Sequence, residues 1–350
     1  MRQTLPGRVD HGARGVPVEA EAVEYEQQYL ADSPIIPAMD LKAIQGFRST
    51  VRRPADFDAF WQRTAAETEK VPVNATFEHM PMRSTDDVDA FDVRYDSYGG
   101  LRIAAWYCAP RGKPGPFPGM LVVPGYVSEP MLPRALARQG YAVLSAAPRG
   151  KLRSNTVFNP GYPGLLMHNI TDRDTYGYRG FYMDAVRAFD VLAARPEVDR
   201  SRIGVQGSSQ GGALTLLVSA LRPDRVAAAS AGAPYLCSTM DAATMTHSYP
   251  YQEINDYLRL NPGDVGKLKA TWDYYDIQNF VARVRCPTIV NIGLNDDVCP
   301  PATGFAVFRE IGSRDKKLYP YEDCAHDAGS AAGHASVVRE FMASKLGPGR

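Results

Sequence analysis

The sequence shows no excess of charge of either sign. Its 350 residues include 39 lysines and arginines against 39 aspartates and glutamates, so the formal net charge is zero. Proteins that bind nucleic acid or anionic membranes usually carry a basic excess, because neutralising phosphates drives their affinity. We therefore expect neither nucleic acid nor a membrane as partner, but a small, uncharged molecule bound by a chain of enzyme size.

Cysteine is scarce, and long apolar runs are absent. The five cysteines contain no Cys-x-x-Cys pair and no metal-ligand spacing, a pattern typical of reduced, buried thiols in a cytoplasmic protein. The longest apolar stretch, around residues 213–221, is far shorter than the ~18 residues of a membrane span. The first segment, MRQTLPGRVDHGARG, lacks the apolar region of a secretory signal. A soluble, cytoplasmic protein is the expectation.

The rest of the composition indicates one folded domain preceded by an extension. With 45% hydrophobic and 22% charged residues, the chain has the make-up of an ordinary globular protein. Residues 1–50 are rich in glycine, proline and charge, and their one possible helix spans residues 19–30. Residues 51–350 are predicted to form a single domain, because no repeat and no linker divides them.

From residue 52 onwards the pattern predicts strands that alternate with helices. A helix follows Pro54, and two alternating runs joined by residues 98–100 predict a β-hairpin. Short apolar runs bounded by glycine and proline predict buried strands at residues 119–126, 141–150, 203–206, 226–233, 288–292 and 317–321. Further helices are predicted at residues 130–140, 181–194, 210–221 and 334–346. This alternation is typical of an α/β fold: a mostly parallel central sheet, an N-terminal antiparallel hairpin and helices on both faces.

The motif that carries chemistry is a G-x-S-x-G run, formed by Gly207, Ser208, Ser209, Gln210 and Gly211. It follows an apolar strand and opens a helix, which is the strand–turn–helix context of a nucleophile elbow in the α/β-hydrolase fold. A serine on such a strained turn needs neighbours without side chains, and Gly207 and Gly211 supply that clearance. We predict Ser209 as nucleophile and Ser208 as bystander. The alternative is a glycine-rich turn that only packs a helix against the sheet.

A serine hydroxyl needs a base to take its proton and an acid to orient that base, and in this fold the acid precedes the histidine. Asp296 and Asp297 follow a predicted strand, and His326 lies in the loop after the next one. His334, at the start of the last helix, is the rival base. The residues alone favour His326 and leave the acid open between Asp296 and Asp297.

Two further assignments follow from the positions of strand ends. The oxyanion hole is predicted from the backbone N–H of Gln210 and from a second N–H after the strand that begins at residue 119, near Tyr126. Arg149 follows another strand end. It could bind substrate, but an ion pair that braces the elbow is favoured.

From about residue 53 to residue 346 the sequence resembles the acetyl xylan esterase and cephalosporin-C deacetylase family (carbohydrate esterase family 7, within the α/β-hydrolase superfamily). The resemblance is carried by ADFDAFWQRTAAETEKVP, PRGK, MDAVRAFDVLAARPEVDRSRIGVQGSSQGG, YQEINDYL, NIGLNDDVCPPAT and YPYEDCAH. It implies Ser209 as nucleophile, Asp296 as acid and His326 as base, with oxyanion donors on Tyr126 and Gln210. It also implies an intracellular, often hexameric enzyme that needs no metal or other cofactor and removes acetyl groups from small acetylated sugars and from cephalosporin C.

The sequence departs from this family's pattern in three places. The family's Arg-Gly-Gln motif is Arg149-Gly150-Lys151 here, its His-Glu motif is His326-Asp327, and the segment 151–176 is shorter than usual. These changes bear on the substrate and on the hexamer, whereas the hydrolytic residues are intact. An acyltransferase that passes the acyl group to an acceptor would use the same residues. A binding protein on a hydrolase fold would instead have a broken triad.

Overall fold

A nine-stranded sheet runs through the protein, seen in a computed structural model that describes residues 40–156 and 158–347. Its strands are β1 Thr76–His79, β2 Val88–Asp96, β3 Arg102–Pro110, β4 Phe117–Val122, β5 Ala142–Ala147, β6 Val198–Ser208, β7 Ala228–Gly232, β8 Thr288–Gly293 and β9 Lys316–Tyr321. The spatial order is β1-β2-β3-β5-β4-β6-β7-β8-β9. The pairs from β1 to β5 are antiparallel, and the pairs from β5 to β9 are parallel. The predicted mostly parallel sheet with an antiparallel N-terminal side is confirmed; β1 had not been predicted.

The helices are α1 Leu41–Gly46, α2 Phe57–Glu69, α3 Arg134–Arg138, α4 Gly177–Ala193, α5 Gln210–Leu221, α6 Thr239–Met245, α7 Gln252–Leu260, α8 Val265–Tyr275, α9 Pro301–Glu310 and α10 His334–Leu346. They cover both faces of the sheet, as predicted. Successive residues of a strand point to opposite faces: Leu121 of β4 belongs to the large core that includes α4 and α5, whereas Met120 packs with Met342 of α10. Within the described residues, no helix is long and apolar enough to cross a membrane.

Two predicted helices have other bounds than expected. The predicted helix 130–140 is only α3, because Pro133 restricts the backbone of the residue before it and the helix begins directly after it. Helix α4 begins at Gly177, four residues before the predicted start at residue 181. Gly177 and Gly180 do not interrupt the helix. A Cβ on Gly180 would lie 2.0 Å from Arg149 Nη1, so this glycine lets an arginine cross the helix.

The described end of the predicted extension lies on the domain. Helix α1 packs against α9, and Arg309 of α9 donates a hydrogen bond to the Gln45 carbonyl at 3.0 Å. The Thr50 hydroxyl donates to Asp241 at 2.6 Å. The helix predicted at residues 19–30 lies outside the described residues, and the domain boundary at residue 50 stays a prediction.

Candidate active site

Ser209 lies at the turn between β6 and α5. Its backbone has φ 59° and ψ −122°, a conformation that costs energy for a residue with a side chain. Three hydrogen bonds hold it: the Ser209 N–H donates to the Gly232 carbonyl at 2.9 Å, and its own carbonyl accepts from Ala213 at 3.0 Å and from Tyr235 at 3.1 Å. The surrounding backbone thus fixes the strained turn and presents the Ser209 side chain at the end of β6.

Two glycines of the motif are required by close backbone contacts. A Cβ on Gly207 would lie 2.7 Å from the Val123 carbonyl oxygen, and one on Gly211 would lie 2.4 Å from the same atom. Both distances are far below ordinary contact. Any larger residue would push the elbow away from the end of β4, so the clearance predicted from the sequence is a feature of the fold.

The loops after β8 and β9 bring a carboxylate and an imidazole together. His326 Nδ1 lies 2.9 Å from Asp296 Oδ2 and 3.1 Å from Oδ1. The Asp296 carboxylate is buried, with a side-chain exposure of 1%, and its Oδ1 also accepts from the N–H groups of Val298 at 2.9 Å and Cys299 at 2.8 Å. These two donors orient the carboxylate and compensate part of the cost of its burial.

The rival candidates have other partners. Asp297 accepts a hydrogen bond from the Ser248 hydroxyl at 3.1 Å. His334 begins α10, and its Nδ1 lies 2.7 Å from the Tyr321 hydroxyl. The structure therefore pairs His326 with Asp296, the combination that the family resemblance implies.

Cys299 connects the elbow to the acid. Burial raises the pKa of its thiol well above the ordinary value, the Asp296 charge raises it further, and the neighbouring Ser209 side chain opposes part of the increase. Ser209 and Asp296 thus adjoin one buried thiol. Within residues 40–156 and 158–347, no hydrogen bond joins the Ser209 hydroxyl to His326, a contact that is often long in unliganded hydrolases.

The two predicted oxyanion donors flank the elbow. Gln210 follows Ser209, and Tyr126 lies in the loop after β4, where a Cβ on Gly125 would come within 3.7 Å of the Ser208 carbonyl. Across the described chain, the backbone N–H groups of Tyr126 and Gln210 have no backbone acceptor. Their side chains point inward: Gln210 Nε2 donates to Tyr178 at 2.6 Å, and the Tyr126 hydroxyl donates to Glu253 at 2.7 Å.

Arg149 forms the predicted ion pair, but the pair lies elsewhere than at the elbow. Its Nε and Nη2 donate to the two carboxylate oxygens of Asp184 in α4, at 2.8 and 2.9 Å, and Nη2 also reaches the Tyr98 carbonyl at 2.7 Å. This buried, bidentate pair braces the end of β5 against α4 and the hairpin turn. The prediction that it braces the elbow is wrong, because Gly180 leaves the guanidinium a path across α4 instead.

Two residues behind the loop after β4, Glu253 and Lys151, were not among the predicted site residues. Glu253 of α7 holds the Tyr126 hydroxyl, and burial raises the pKa of this carboxyl. Lys151 donates to the backbone of the loop itself. The signals in the sequence are the departure of Lys151 from the Arg-Gly-Gln motif and the position of Glu253 within YQEINDYL, a segment that carries the family resemblance.

A cavity of about 420 Å³ lies on the face of the sheet that α10 covers. Gln206, Ser208, Ser230 and His334 line it, whereas Ser209 does not. Ser208 is therefore directed away from the acid–base pair. In the part of the chain that the structure describes, no group of three or more histidine, cysteine, aspartate or glutamate side chains could hold a metal ion.

Comparison with known sequences extends over most of the chain. The sequence model of the acetyl xylan esterase (AXE1) family matches residues 35–343. The chain is also 32% identical over 279 residues to acetyl esterase Axe7A of Xylanibacter ruminicola, across 76% of this chain and 62% of that protein. It thus spans less than two thirds of the length of this curated relative.

Solved structures of esterases are similar along their whole length. Acetyl xylan esterase from Paenibacillus sp. R4 is 30% identical with a TM-score of 0.82, over 88% of this chain and 100% of that one. Acetyl xylan esterase 1 from Thermoanaerobacterium sp. JW/SL YS485 is 26% identical with a TM-score of 0.79, over 88% and 99%. The predicted α/β-hydrolase fold is confirmed, and the chain belongs to the acetyl xylan esterase family.

Proposed function

We propose that this protein is a serine carboxylic-ester hydrolase that removes acetyl or other short acyl groups from a small sugar, polyol or secondary metabolite. The observation that carries the proposal is the hydrogen-bonded pair of Asp296 and His326 beside Ser209 on its elbow. Membership of the acetyl xylan esterase family supports an ester as substrate.

The first half-reaction forms an acyl-enzyme. The Ser209 Oγ attacks the acetyl carbonyl carbon while His326 Nε2 takes the hydroxyl proton. The imidazolium that forms faces the Asp296 carboxylate, which stabilises its charge and holds Nδ1–H in place. Negative charge then develops on the carbonyl oxygen, where the N–H groups of Tyr126 and Gln210 stabilise it.

The second half-reaction returns the enzyme to its resting state. When the tetrahedral intermediate collapses, His326 gives its proton to the leaving alcohol, and the acetyl group stays on Ser209. Water, deprotonated by the same imidazole, attacks the acyl-enzyme, and acetate leaves as Ser209 regains its proton. Because the relatives named above are esterases, water is favoured as acceptor over a second alcohol or amine.

Three finer proposals accompany this function. We propose that cephalosporin C is among the accepted substrates, that the enzyme works inside the cell, and that it assembles as a homo-oligomer. The five cysteines are buried and unpaired, which suits a reducing compartment. Val127, Met131 and Leu152 are exposed apolar residues in the loops after β4 and β5, which suits a subunit contact. Cell fractionation tests the intracellular location, and light scattering tests the homo-oligomer.

Purified protein is expected to hydrolyse p-nitrophenyl acetate at least about tenfold faster, in kcat/KM, than p-nitrophenyl octanoate, a difference of about 1.4 kcal/mol. Nothing in the sequence indicates a lid long enough to cover a lipid tail. Acetate release from acetylated xylose and from cephalosporin C would then rank the natural alcohol groups. Absence of turnover on every ester would refute the proposed activity, and faster cleavage of the octanoyl ester would refute the preference for short chains.

Gly293→Ala is expected to disable the site without touching the proposed catalytic side chains. A Cβ on Gly293 would lie 2.1 Å from the Ala325 carbonyl oxygen and 2.3 Å from that of Cys324, so the loop that carries His326 must move. A displacement of ~1 Å at a catalytic group can cost about 100-fold in rate. We expect a loss of that size in kcat for p-nitrophenyl acetate, measured below the melting temperature.

Gly304→Ala is the matched control. Its Cβ would lie 2.9 Å from Cγ2 of the buried Ile292 and no nearer than 3.8 Å to any other atom, so this variant introduces a side-chain clash that spares the backbone of the histidine loop. Alanine is also the better helix former at this position in α9. We expect activity close to that of the wild type. Equal losses in both variants would show that the Gly293 effect is not specific to the histidine loop.

A further inference from the structure

Lys151 is a buried lysine with no exposed surface, bound to the loop after β4. Its Nζ donates to the Gly125 carbonyl at 2.7 Å and to the Tyr126 carbonyl, and it lies 4.7 Å from the centre of the Tyr162 ring. Burying an ammonium is costly, and two carbonyls and a ring face compensate only part of the cost. A neutral side chain could hold the same loop without that cost, so the charge calls for an explanation.

The Gly125 carbonyl belongs to the same peptide unit as the Tyr126 N–H. In a planar trans peptide, the carbonyl and the N–H point in opposite directions. An ammonium on the carbonyl therefore turns the N–H away from itself. It also polarises the peptide, which makes the N–H a stronger donor, because hydrogen bonds in series reinforce one another.

We propose that Lys151 is a positioning residue for ester hydrolysis: its ammonium holds and polarises the Gly125–Tyr126 peptide, so that the Tyr126 N–H is directed at the developing oxyanion. The inference rests on the proposed function. Lys151 itself does not touch the substrate, because its side chain is sealed behind the loop. Its positive charge adds to the field that stabilises negative charge at the reacting oxygen.

Among the residues that the structure describes, no neighbouring charge neutralises the Lys151 ammonium, so its positive charge acts on the loop after β4. No carboxylate of the described residues lies within 4.0 Å of its Nζ. Glu129, whose charge acts on it from farther away, accepts a hydrogen bond from the Leu152 N–H at 3.0 Å. Burial raises the pKa of the Tyr126 and Tyr162 phenols well above the ordinary value, so both stay neutral. Glu253 of α7 is bonded to the Tyr126 hydroxyl, not to the ammonium.

This arrangement gives the reaction a dependence on pH. Burial lowers the pKa of Lys151 from 10.5 to about 8, and the charge of Glu129 opposes part of the decrease. Below that pH the side chain is the ammonium and the peptide is polarised. Above it the side chain is a neutral amine, so kcat is expected to fall as the pH rises through about 8.

Two substitutions separate charge from hydrogen bonding. Lys151→Gln, the residue of the family's motif, keeps N–H donors without charge, whereas Lys151→Met removes both. With p-nitrophenyl acetate as substrate and kcat recorded between about pH 6 and pH 10, we expect kcat below pH 8 to fall about tenfold with Gln and about 100-fold with Met, the latter at the lower end of the loss caused by removing a whole oxyanion donor. KM should change less than about threefold, and the decline of kcat above pH 8 should disappear in both variants.

Lys316→Met is the matched control for a purely structural lysine. Lys316 Nζ donates to the carbonyls of Phe308, Arg309 and Ile311, at 3.0, 2.9 and 2.7 Å, at the end of α9. Its loss is expected to lower the melting temperature but to leave kcat and its pH profile unchanged. Glu253→Gln is expected to keep the decline above pH 8, which excludes this carboxyl as its source.

The outcomes distinguish this inference from the proposed function. If the wild type hydrolyses no ester, the proposed function fails. If the wild type is active while Lys151→Gln and Lys151→Met keep its kcat and its alkaline decline, only the role of Lys151 is wrong. A lower melting temperature in these variants with unchanged kcat per folded molecule would likewise reduce Lys151 to a structural residue.

Discussion

Ser209→Ala is expected to lower kcat for p-nitrophenyl acetate by about 10⁵-fold or more, because the variant lacks the hydroxyl that forms the acyl-enzyme, while burial keeps the neighbouring Cys299 thiol protonated by raising its pKa. The fold should be unaffected. Alanine meets the same backbone strain at φ 59° as serine does, and the three backbone hydrogen bonds of the turn involve no side-chain atom. Stopped-flow assays would show the loss of the initial burst of p-nitrophenol as well as of steady turnover. The preparation must be free of wild-type enzyme to below about one part in 10⁵.

The neighbouring serine supplies the control. Ser208 lines the cavity under α10, and a Cβ on Gly232 would lie 2.9 Å from the Ser208 Oγ, so its hydroxyl faces away from the acid–base pair. Ser208→Ala should keep activity within about twofold of the wild type. A fluorophosphonate probe should label the wild type and Ser208→Ala, but not Ser209→Ala. Labelling of Ser209→Ala, or more than a tenth of the activity remaining in it, would identify another nucleophile.

The elbow and the sheet were predictable because their signals are local. A glycine-flanked serine between a strand and a helix fixes the turn within a few residues, and each parallel strand is a short apolar run bounded by breakers. The order of the chain then places Asp296 and His326 at the carboxyl ends of two adjacent parallel strands. Because β8 and β9 are adjacent and parallel, the loops that follow them lie side by side and bring the two side chains together.

The partners of Arg149 and Lys151 were not predictable, because they depend on contacts between distant segments. Arg149 pairs with a residue 35 positions away, and Lys151 binds carbonyls 25 and 26 positions away. A backbone carbonyl leaves no trace in the sequence, so the target of Lys151 appears only when the loops after β4 and β5 lie side by side. Likewise Gly180 resembles a helix breaker until the guanidinium that crosses it is known.

Asp296→Asn is expected to lower kcat about 10⁴-fold although the side chain keeps its size, because it fixes the wrong tautomer of His326. The N–H groups of Val298 and Cys299 both donate to Oδ1, so the asparagine must place its carbonyl oxygen there. Its NH₂ group then takes the position of Oδ2, 2.9 Å from His326 Nδ1. Nδ1 becomes an acceptor, the proton moves to Nε2, and the imidazole can no longer accept the proton of Ser209.

Asp297→Asn tests whether the loss of activity is specific to the Asp296 carboxylate or results from any such substitution in the loop after β8. Asp297 accepts from the Ser248 hydroxyl, and an asparagine oxygen can accept the same bond. Asp297→Asn is therefore expected to keep activity within about twofold of the wild type. The measurement is the pH profile of kcat for both variants with p-nitrophenyl acetate as substrate. A large loss in Asp297→Asn with full activity in Asp296→Asn would reverse the assignment of the acid. Comparable losses in both would mean that the substitutions disturb the loop after β8, since only Asp296 is hydrogen-bonded to the imidazole.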